Sequence, residues 1–172
     1  MTATSTITLA GGFKAGHPQF AAPAAAGPIS PAFAAFTLLT DALAEACAAA
    51  ELRADDAAWD VALADPDAAA EDALNEAVAA ARAAGDAQIF LASDRTLVFA
   101  ARFVSCALGV EHGADREHIL HFIDSSRTLW GPAPTGTTAR RAEALVERAI
   151  ERLMRLTELM ADEVSGECRN VL

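Results

Sequence analysis

Three histidines and several carboxylates lie close together in the stretch EHGADREHILHFID, where His112, His118 and His121 fall within three helical turns. Imidazole and carboxylate are the ligand types that zinc and non-haem iron take in proteins. Glu117 precedes His121 by four residues, so a helix would place both side chains on one face. Glu117, His118 and His121 are therefore candidate metal ligands.

The position of these side chains on their helix favours a different interpretation. The apolar face of a helix predicted over residues 115–130 is centred near Ser126. Glu117 and His121 then point to the opposite side, and His118 lies on the flank. Metal sites in helical bundles are built from inward-pointing side chains, commonly as Glu-x-x-His pairs, and the sequence contains no such pair. We expect a solvated face with no metal or cofactor; a metal bound at a subunit interface is the alternative.

A second group of polar side chains crosses the most apolar stretch of the chain, AQIFLASDRTLVFAARFVSCALGV, at residues 87–110. At 100° per residue, Gln88, Arg95 and Arg102 fall on one line, with Asp94 beside it. A charged group on a buried helix requires a partner. We expect the arginines to pair with acidic side chains of neighbouring helices and so set the helix register. The alternative is a pocket for a carboxylate or phosphate ligand.

Motifs of nucleophilic, phosphate-binding and metallopeptidase chemistry are absent from the sequence. It contains no GxSxG, no P-loop, no GxGxxG and no HExxH. Ser125 and Ser126 are adjacent to no base that the sequence places. An enzymatic function is thus uncertain, and the sequence favours a protein without one.

The apolar stretch at 87–110 predicts the element around which the other helices pack. A helix that is apolar around most of its circumference is typical of one enclosed by other helices. We therefore predict a central helix over about residues 87–111. A membrane span would carry Asp94, Arg95 and Arg102 near its middle, at high cost in hydrocarbon. We accordingly expect no membrane partner.

The remaining helices are indicated by capping signals and by apolar periodicity. Ser30-Pro31 and Asp65-Pro66 each combine an N-cap residue with proline at the first helical position. Further helices are predicted over 31–53, 66–84, 115–130 and 137–164, with a short one around Trp59. The prediction is an all-α bundle of five to six helices over residues 31–172. The helix over 66–84 has a small inward face, so we expect it to make the weakest core contacts of the bundle.

The first 30 residues differ from the rest and are predicted to form an extended arm. Their one charged side chain is Lys14, and Pro18, Pro23 and Pro28 interrupt any helix at intervals of five. The arm also carries spaced large apolar residues, which ordinary disordered tails lack. We predict that it lies on a protein surface, its own or a partner's. The candidate partner-binding residues are Leu9, Phe13, Phe20 and Ile29.

The last predicted helix is the longest and has a repeating apolar pattern. Val146, Ala149, Leu153, Leu156 and Met160 alternate at spacings of three and four. That spacing suits packing along the whole bundle or a seam with a second chain. We expect packing within the chain and keep the seam as the alternative.

Charge and cysteine content exclude several classes of protein. The net charge is −11, and residues 41–86 hold 12 acidic side chains against two arginines. A nucleic-acid partner is not expected, because a phosphate backbone selects basic surfaces. The three cysteines are far apart, and Cys47 and Cys106 fall on apolar faces, which predicts buried thiols rather than disulfides. The N-terminus does not resemble a signal peptide, and a cytoplasmic location is expected.

These observations together predict a non-enzymatic assembly or adaptor protein. It would act through protein–protein contacts of its N-terminal arm and its long C-terminal helix, with a protein partner or as a homo-oligomer. The alternative is a helical-bundle protein that binds a small molecule or metal. Such a protein would use Arg95 and Arg102, or the cluster His112, His118 and His121.

Overall fold

The computed structural model describes residues 29–54, 65–110, 113–130 and 135–167, and all regular structure within these ranges is helical. Five helices follow one another: α1 (Pro31–Ala54), α2 (Pro66–Gly85), α3 (Ala92–Leu108), α4 (Gly113–Trp130) and α5 (Thr137–Glu167). The predicted all-α class and bundle-like packing are confirmed. The short helix expected around Trp59 and the arm up to residue 28 lie outside the described residues.

Helices α1 and α2 begin at the caps that the sequence indicates. The Ser30 hydroxyl accepts the backbone N–H of Phe33 at 3.2 Å. The Asp65 carboxylate accepts the N–H groups of Asp67 and Ala68 at 3.1 and 3.4 Å. In both cases the following proline lacks the N–H that would otherwise need a partner. Local sequence therefore determines where these two helices begin.

Contacts between α1 and α5 show that the two helices are parallel. The guanidinium of Arg141, near the start of α5, lies 5.4 Å from the ring centre of Phe33, near the start of α1. Further along, Arg155 contacts Glu51 at 3.0 Å near the end of α1. The two helices thus run side by side for most of the length of α1.

The other contacts give the remaining helix directions. Ser30, just before α1, donates to Asp94 in the first turn of α3, so α1 and α3 start at the same end of the bundle. Arg116, early in α4, reaches Met160, late in α5, so the start of α4 lies beside the later part of α5. Helices α1, α3 and α5 therefore begin at one end of the bundle, and α4 begins near the other.

The core is formed by all five helices, and α3 is the one that packs against each of the other four. The large buried side chains of the core come mainly from α1, α3 and α5, with one from α4. The most completely enclosed are Phe36, Leu39, Leu43, Leu97, Val104, Ile123 and Leu153. The predicted central position of the apolar stretch is correct.

The expectation that α2 makes the weakest core contacts is wrong. Helices α1 and α2 form the most extensive contact in the bundle. Ala77, Ala81 and Ala84 of α2 are almost completely buried. Small side chains bury little area each, but they let helix axes approach closely and bring more of both surfaces into contact. A small inward face here indicates close packing rather than a weak contact.

The central helix is shorter than predicted. It begins at Ala92 rather than at residue 87, and Ile89, Phe90 and Leu91 precede it in a non-helical segment. These three apolar residues are exposed, Phe90 to 66%. Helical periodicity cannot distinguish an apolar run inside a helix from one that leads into it.

Among the described residues, the helix that meets the length and composition of a membrane span is α1, not the stretch considered from the sequence. Core helices of soluble proteins meet the same criterion. Asp41 and Glu45 lie on the exposed side of α1, while Phe36, Leu39 and Leu43 are buried against the other helices. In this structure α1 packs as a core helix of the bundle.

Candidate functional site

Asp94 is a completely buried carboxylate with three hydrogen-bond donors around it. One oxygen accepts the hydroxyl of Ser30 at 2.7 Å. The other accepts the backbone N–H groups of Phe90 and Leu91, each at 2.9 Å. An acidic side chain in the first turn also interacts favourably with the helix dipole. Asp94 therefore anchors the start of α3, and its hydrogen-bond donors are these groups rather than Arg95.

Arg95 and Arg102 are exposed, and so is the line along α3 on which they lie. Phe99 and Cys106 continue the same line, so one side of the central helix faces solvent. The Arg102 Nε donates to the carbonyl oxygen of Gly85 at the end of α2, at 2.9 Å. The register contact is thus made with a backbone carbonyl, where an acidic side chain was expected. A ligand-binding role for Arg95 and Arg102 stays a prediction.

The side chains of Glu117, His118 and His121 all lie exposed on α4. Within the described part of the chain, no three His, Cys, Asp or Glu side chains are grouped so that they could hold a metal ion. His112 lies outside that part. A metal site at a subunit interface therefore stays a prediction, and α4 presents Glu117 and His121 as isolated side chains.

The candidate partner-binding residues fall on both sides of the boundary of the described structure. Leu9, Phe13 and Phe20 lie outside the described residues. Ile29 is described, directly precedes the N-cap of α1 and is 64% exposed. Its side chain forms one wall of an open groove. We refer to this cleft as the α1/α5 groove.

The α1/α5 groove has a volume of about 640 Å³ and runs between the first halves of two parallel helices. Its lining is predominantly apolar, with one threonine and two arginines. The lining residues are Ile29, Phe33, Ala34, Thr37, Leu38, Ala144, Leu145, Arg141 and Arg148. The Thr37 hydroxyl donates to the Phe33 carbonyl oxygen at 2.9 Å, so its one hydrogen-bond donor is used within the helix. The lining residues between the two arginines and Thr37 are therefore apolar.

The two rims of the groove differ in chemistry. The α1 rim carries Ile29 and Leu38, the latter 66% exposed. The α5 rim carries Arg141 and Arg148, seven residues apart. Arg141 lies over the ring of Phe33, and its aliphatic stem can cover the aromatic face while its charge stays in water. The lining contains no carboxylate, although the chain has 24 acidic residues.

The sequence carries a signal for this groove that periodicity alone did not isolate. On α1 the buried stripe includes Phe36, Leu39 and Leu43. Leu38 is a large apolar residue outside that stripe, on a helix that already has a complete inward face. A single such residue needs no explanation. It becomes informative here because α5 places Leu145 on the other side of the same groove.

The two described cysteines differ in environment. Cys47 is partly buried, and its Sγ lies 3.3 Å from the carbonyl oxygen of Arg152. Burial raises the pKa of the Cys47 thiol, and the nearby Glu51 carboxylate raises it further. Cys106 is exposed, which corrects the expectation that it is buried on an apolar face. Its place on the solvent-facing line of α3 is the reason.

The described residues thus define an all-α bundle with one open, apolar interhelical groove bordered by arginines. No protein-family model, no curated protein and no solved structure matches the chain. The function is therefore inferred from the residues of the groove and from the charge of the chain.

Proposed function

We propose that this chain is a non-enzymatic assembly or adaptor protein. It acts through protein–protein contacts made by its N-terminal segment and by α5. Its partner is another protein or a second copy of the chain, in the cytoplasm.

The observation that carries this proposal is the α1/α5 groove. Large apolar side chains that stay exposed around a concavity are typical of surfaces that bind another macromolecule. Ile29 and Leu38 form such a rim, and Phe33 of α1 and Leu145 of α5 also line the groove. The 28 residues that precede Ile29 join the bundle at this groove. The first described residue after the predicted arm, Ile29, and the first half of α5 thus line the same groove, which supports a role for both elements.

Helix α5 supports the proposal by its amphipathic character. Its inward side chains Val146, Leu153 and Leu156 are buried in the bundle. On the other side, Arg141 and Arg148 are exposed and Met154 is a half-exposed apolar residue. The seven-residue apolar repeat is thus used within the chain, and the exposed flank is available for another protein.

The test is the mass of the full-length protein in solution, measured by size-exclusion chromatography with light scattering. The variant carries Phe13→Ser and Phe20→Ser, which remove two apolar anchors and leave the length of the chain unchanged. If the arm mediates self-association, the wild-type protein has the mass of more than one chain and the variant that of one. Ala21→Ser is the matched control and should behave as wild type.

A hetero-partner requires a second measurement on the same variants. The partner recovered with the wild-type chain is purified and its affinity for each variant is measured. The proposal requires at least about a tenfold weaker affinity for the double variant, equivalent to about 1.4 kcal/mol. Equal affinity together with an unchanged mass would contradict a role for the arm.

A further inference from the structure

We propose that the α1/α5 groove binds an acidic amphipathic helix of a partner protein. This inference rests on the proposed function, since it names the partner chemistry for one of the two contact elements. It assigns the occupant of the groove from the backbone, the charge and the shape of its two walls.

The walls of the groove favour a helical occupant. Both walls are helices whose backbone groups are hydrogen-bonded along their own axes, so the groove presents side chains only. A bound extended segment would leave without partners those of its N–H and C=O groups that it buried against these walls, at a cost of about 1–3 kcal/mol each. A helix satisfies these groups internally and buries one apolar stripe, which is the helix-in-groove mode of recognition.

The α5 rim favours carboxylates at a defined spacing. Arg141 and Arg148 are seven residues apart, which is about 10 Å along the helix. A partner helix lying alongside α5 would place carboxylates seven residues apart against them, as flanking charges do in coiled coils. The opposite rim, Ile29 and Leu38, is apolar. The matching helix therefore has an apolar stripe with acidic residues on one flank of it.

The net charge of the chain does not favour an acidic partner, so the proposed attraction has to be local. At −11 the whole molecule repels an acidic partner at long range. Attraction therefore has to come from groups in close contact, because charges beyond about 8 Å are screened at physiological ionic strength. Arg141 and Arg148 meet this condition, since both line the groove itself.

The N-terminal segment of this chain does not match the same chemistry. Residues 1–28 contain no acidic side chain, so they provide nothing for Arg141 and Arg148. Their prolines at 18, 23 and 28 also interrupt a helix. The segment is thus treated as a competing occupant in the experiment.

The experiment uses full-length protein and two designed peptides of about three heptads each, labelled with fluorescein. Both have leucine at the apolar positions; one has glutamate along one flank and the other has lysine at the same positions. Binding is followed by fluorescence anisotropy. The protein variants are Arg141→Glu with Arg148→Glu, and the matched control is Arg140→Glu, which is exposed on the same helix outside the groove.

The expected result is that wild-type protein binds the glutamate peptide at least about tenfold more tightly than the lysine peptide. The double arginine variant should reverse this preference, and Arg140→Glu should retain it. Leu38→Ser should weaken the binding of both peptides, whereas Leu52→Ser, at a similarly exposed position on α1, should not. Circular dichroism confirms that each variant is folded.

Three results would overturn the inference: no binding of the glutamate peptide at about 100 μM, equal binding of both peptides, or a preference that the double arginine variant leaves unchanged. Displacement of the glutamate peptide by a synthetic peptide of residues 1–28 at lower concentration would also overturn it, in favour of the arm as occupant. If this inference fails, the arm-dependent association that the Phe13 and Phe20 substitutions test is not affected. The two proposals can therefore fail separately.

Discussion

The hydroxyl of Ser30 donates to the carboxylate of Asp94 across 2.7 Å, and this bond joins the start of α1 to the start of α3. Ser30 also accepts the N–H of Phe33, so one side chain caps its own helix and contacts another. Asp94 in turn accepts the N–H groups of Phe90 and Leu91. One buried carboxylate therefore links the start of α1 to the start of α3 and to the segment just before it.

Replacing Asp94 by alanine should destabilise the bundle by about 3 kcal/mol, because it leaves two backbone N–H groups and one hydroxyl without their acceptor. Ser30→Ala should cost about 1 kcal/mol through the lost cap and the lost bond to Asp94. The measurement is urea denaturation followed by circular dichroism. Asp41→Ala, an exposed carboxylate on α1, is the control; an equal cost for Asp94→Ala and Asp41→Ala would contradict the anchoring role.

Substitutions of Gly85 and Arg102 should have non-additive effects on the free energy of unfolding. A Cβ on residue 85 would lie 3.0 Å from the Arg102 Cγ, so Gly85→Ala should cost about 1 kcal/mol by displacing that side chain from the Gly85 carbonyl. In an Arg102→Ala background the other neighbours of the added methyl lie at ordinary van der Waals distance. There the same substitution should stabilise by about 0.5 kcal/mol, since it reduces the entropy of the unfolded chain.

The double-mutant cycle distinguishes this contact from a general intolerance of residue 85. A similar cost of Gly85→Ala in both backgrounds would show that Arg102 is not the cause. The free energies of unfolding come from urea titrations of the four proteins.

Replacing Arg116 should destabilise the protein even when the new residue is lysine. Its guanidinium is buried and donates from Nε to the carbonyl oxygen of Ala107 at 3.1 Å and from Nη2 to that of Val110 at 2.8 Å. It thereby satisfies carbonyl groups at the end of α3, which have no partner within the helix. Burial lowers the pKa of the Arg116 guanidinium.

Arg116→Lys should destabilise by about 2 kcal/mol, because one ammonium cannot reproduce the geometry of the guanidinium and its charge stays partly buried. The exposed Arg82→Lys on α2 is the control and should be neutral within about 0.5 kcal/mol. Thermal and urea unfolding measure both. A neutral Arg116→Lys would rule out the capping role.

Cys47 should be protected from alkylation in the native protein. Because the thiolate is the nucleophile, a pKa raised above the ordinary value of 9.0 reduces the reactive fraction at a given pH. The pH–rate profile for iodoacetamide should have its midpoint at higher pH in the folded chain than in urea, with Cys106 and Cys168 replaced by serine. The corresponding stability is present below the ordinary thiol pKa and is lost as pH rises through the raised one.

Coincident profiles in native and denatured protein would contradict the burial of Cys47. Mass spectrometry of the alkylated protein measures the rate at each pH. The same experiment on a chain that retains Cys106 alone provides the exposed reference.

Four of the five helices could be placed from the sequence, within a few residues at most ends. Ser30-Pro31 and Asp65-Pro66 start helices through bonds to neighbouring residues, and these depend on local sequence alone. The start of α3 could not be placed in this way, because Ile89, Phe90 and Leu91 continue its apolar pattern. In the structure Asp94 accepts the N–H groups of Phe90 and Leu91 ahead of the helix, and its other oxygen accepts the hydroxyl of Ser30, 64 residues earlier in the chain.

For the candidate site too, some features follow from the sequence and others only from the tertiary structure. The sequence by itself determined the acidic charge, the helical class, the caps and the set of residues able to bind metal or a partner, because these follow from composition and near-neighbour spacing. Tertiary structure decided that the Arg102 side chain contacts a backbone carbonyl and that α2 packs closely against α1. It also placed Leu38 opposite Arg148 across a groove, since which faces meet depends on packing between helices distant in sequence.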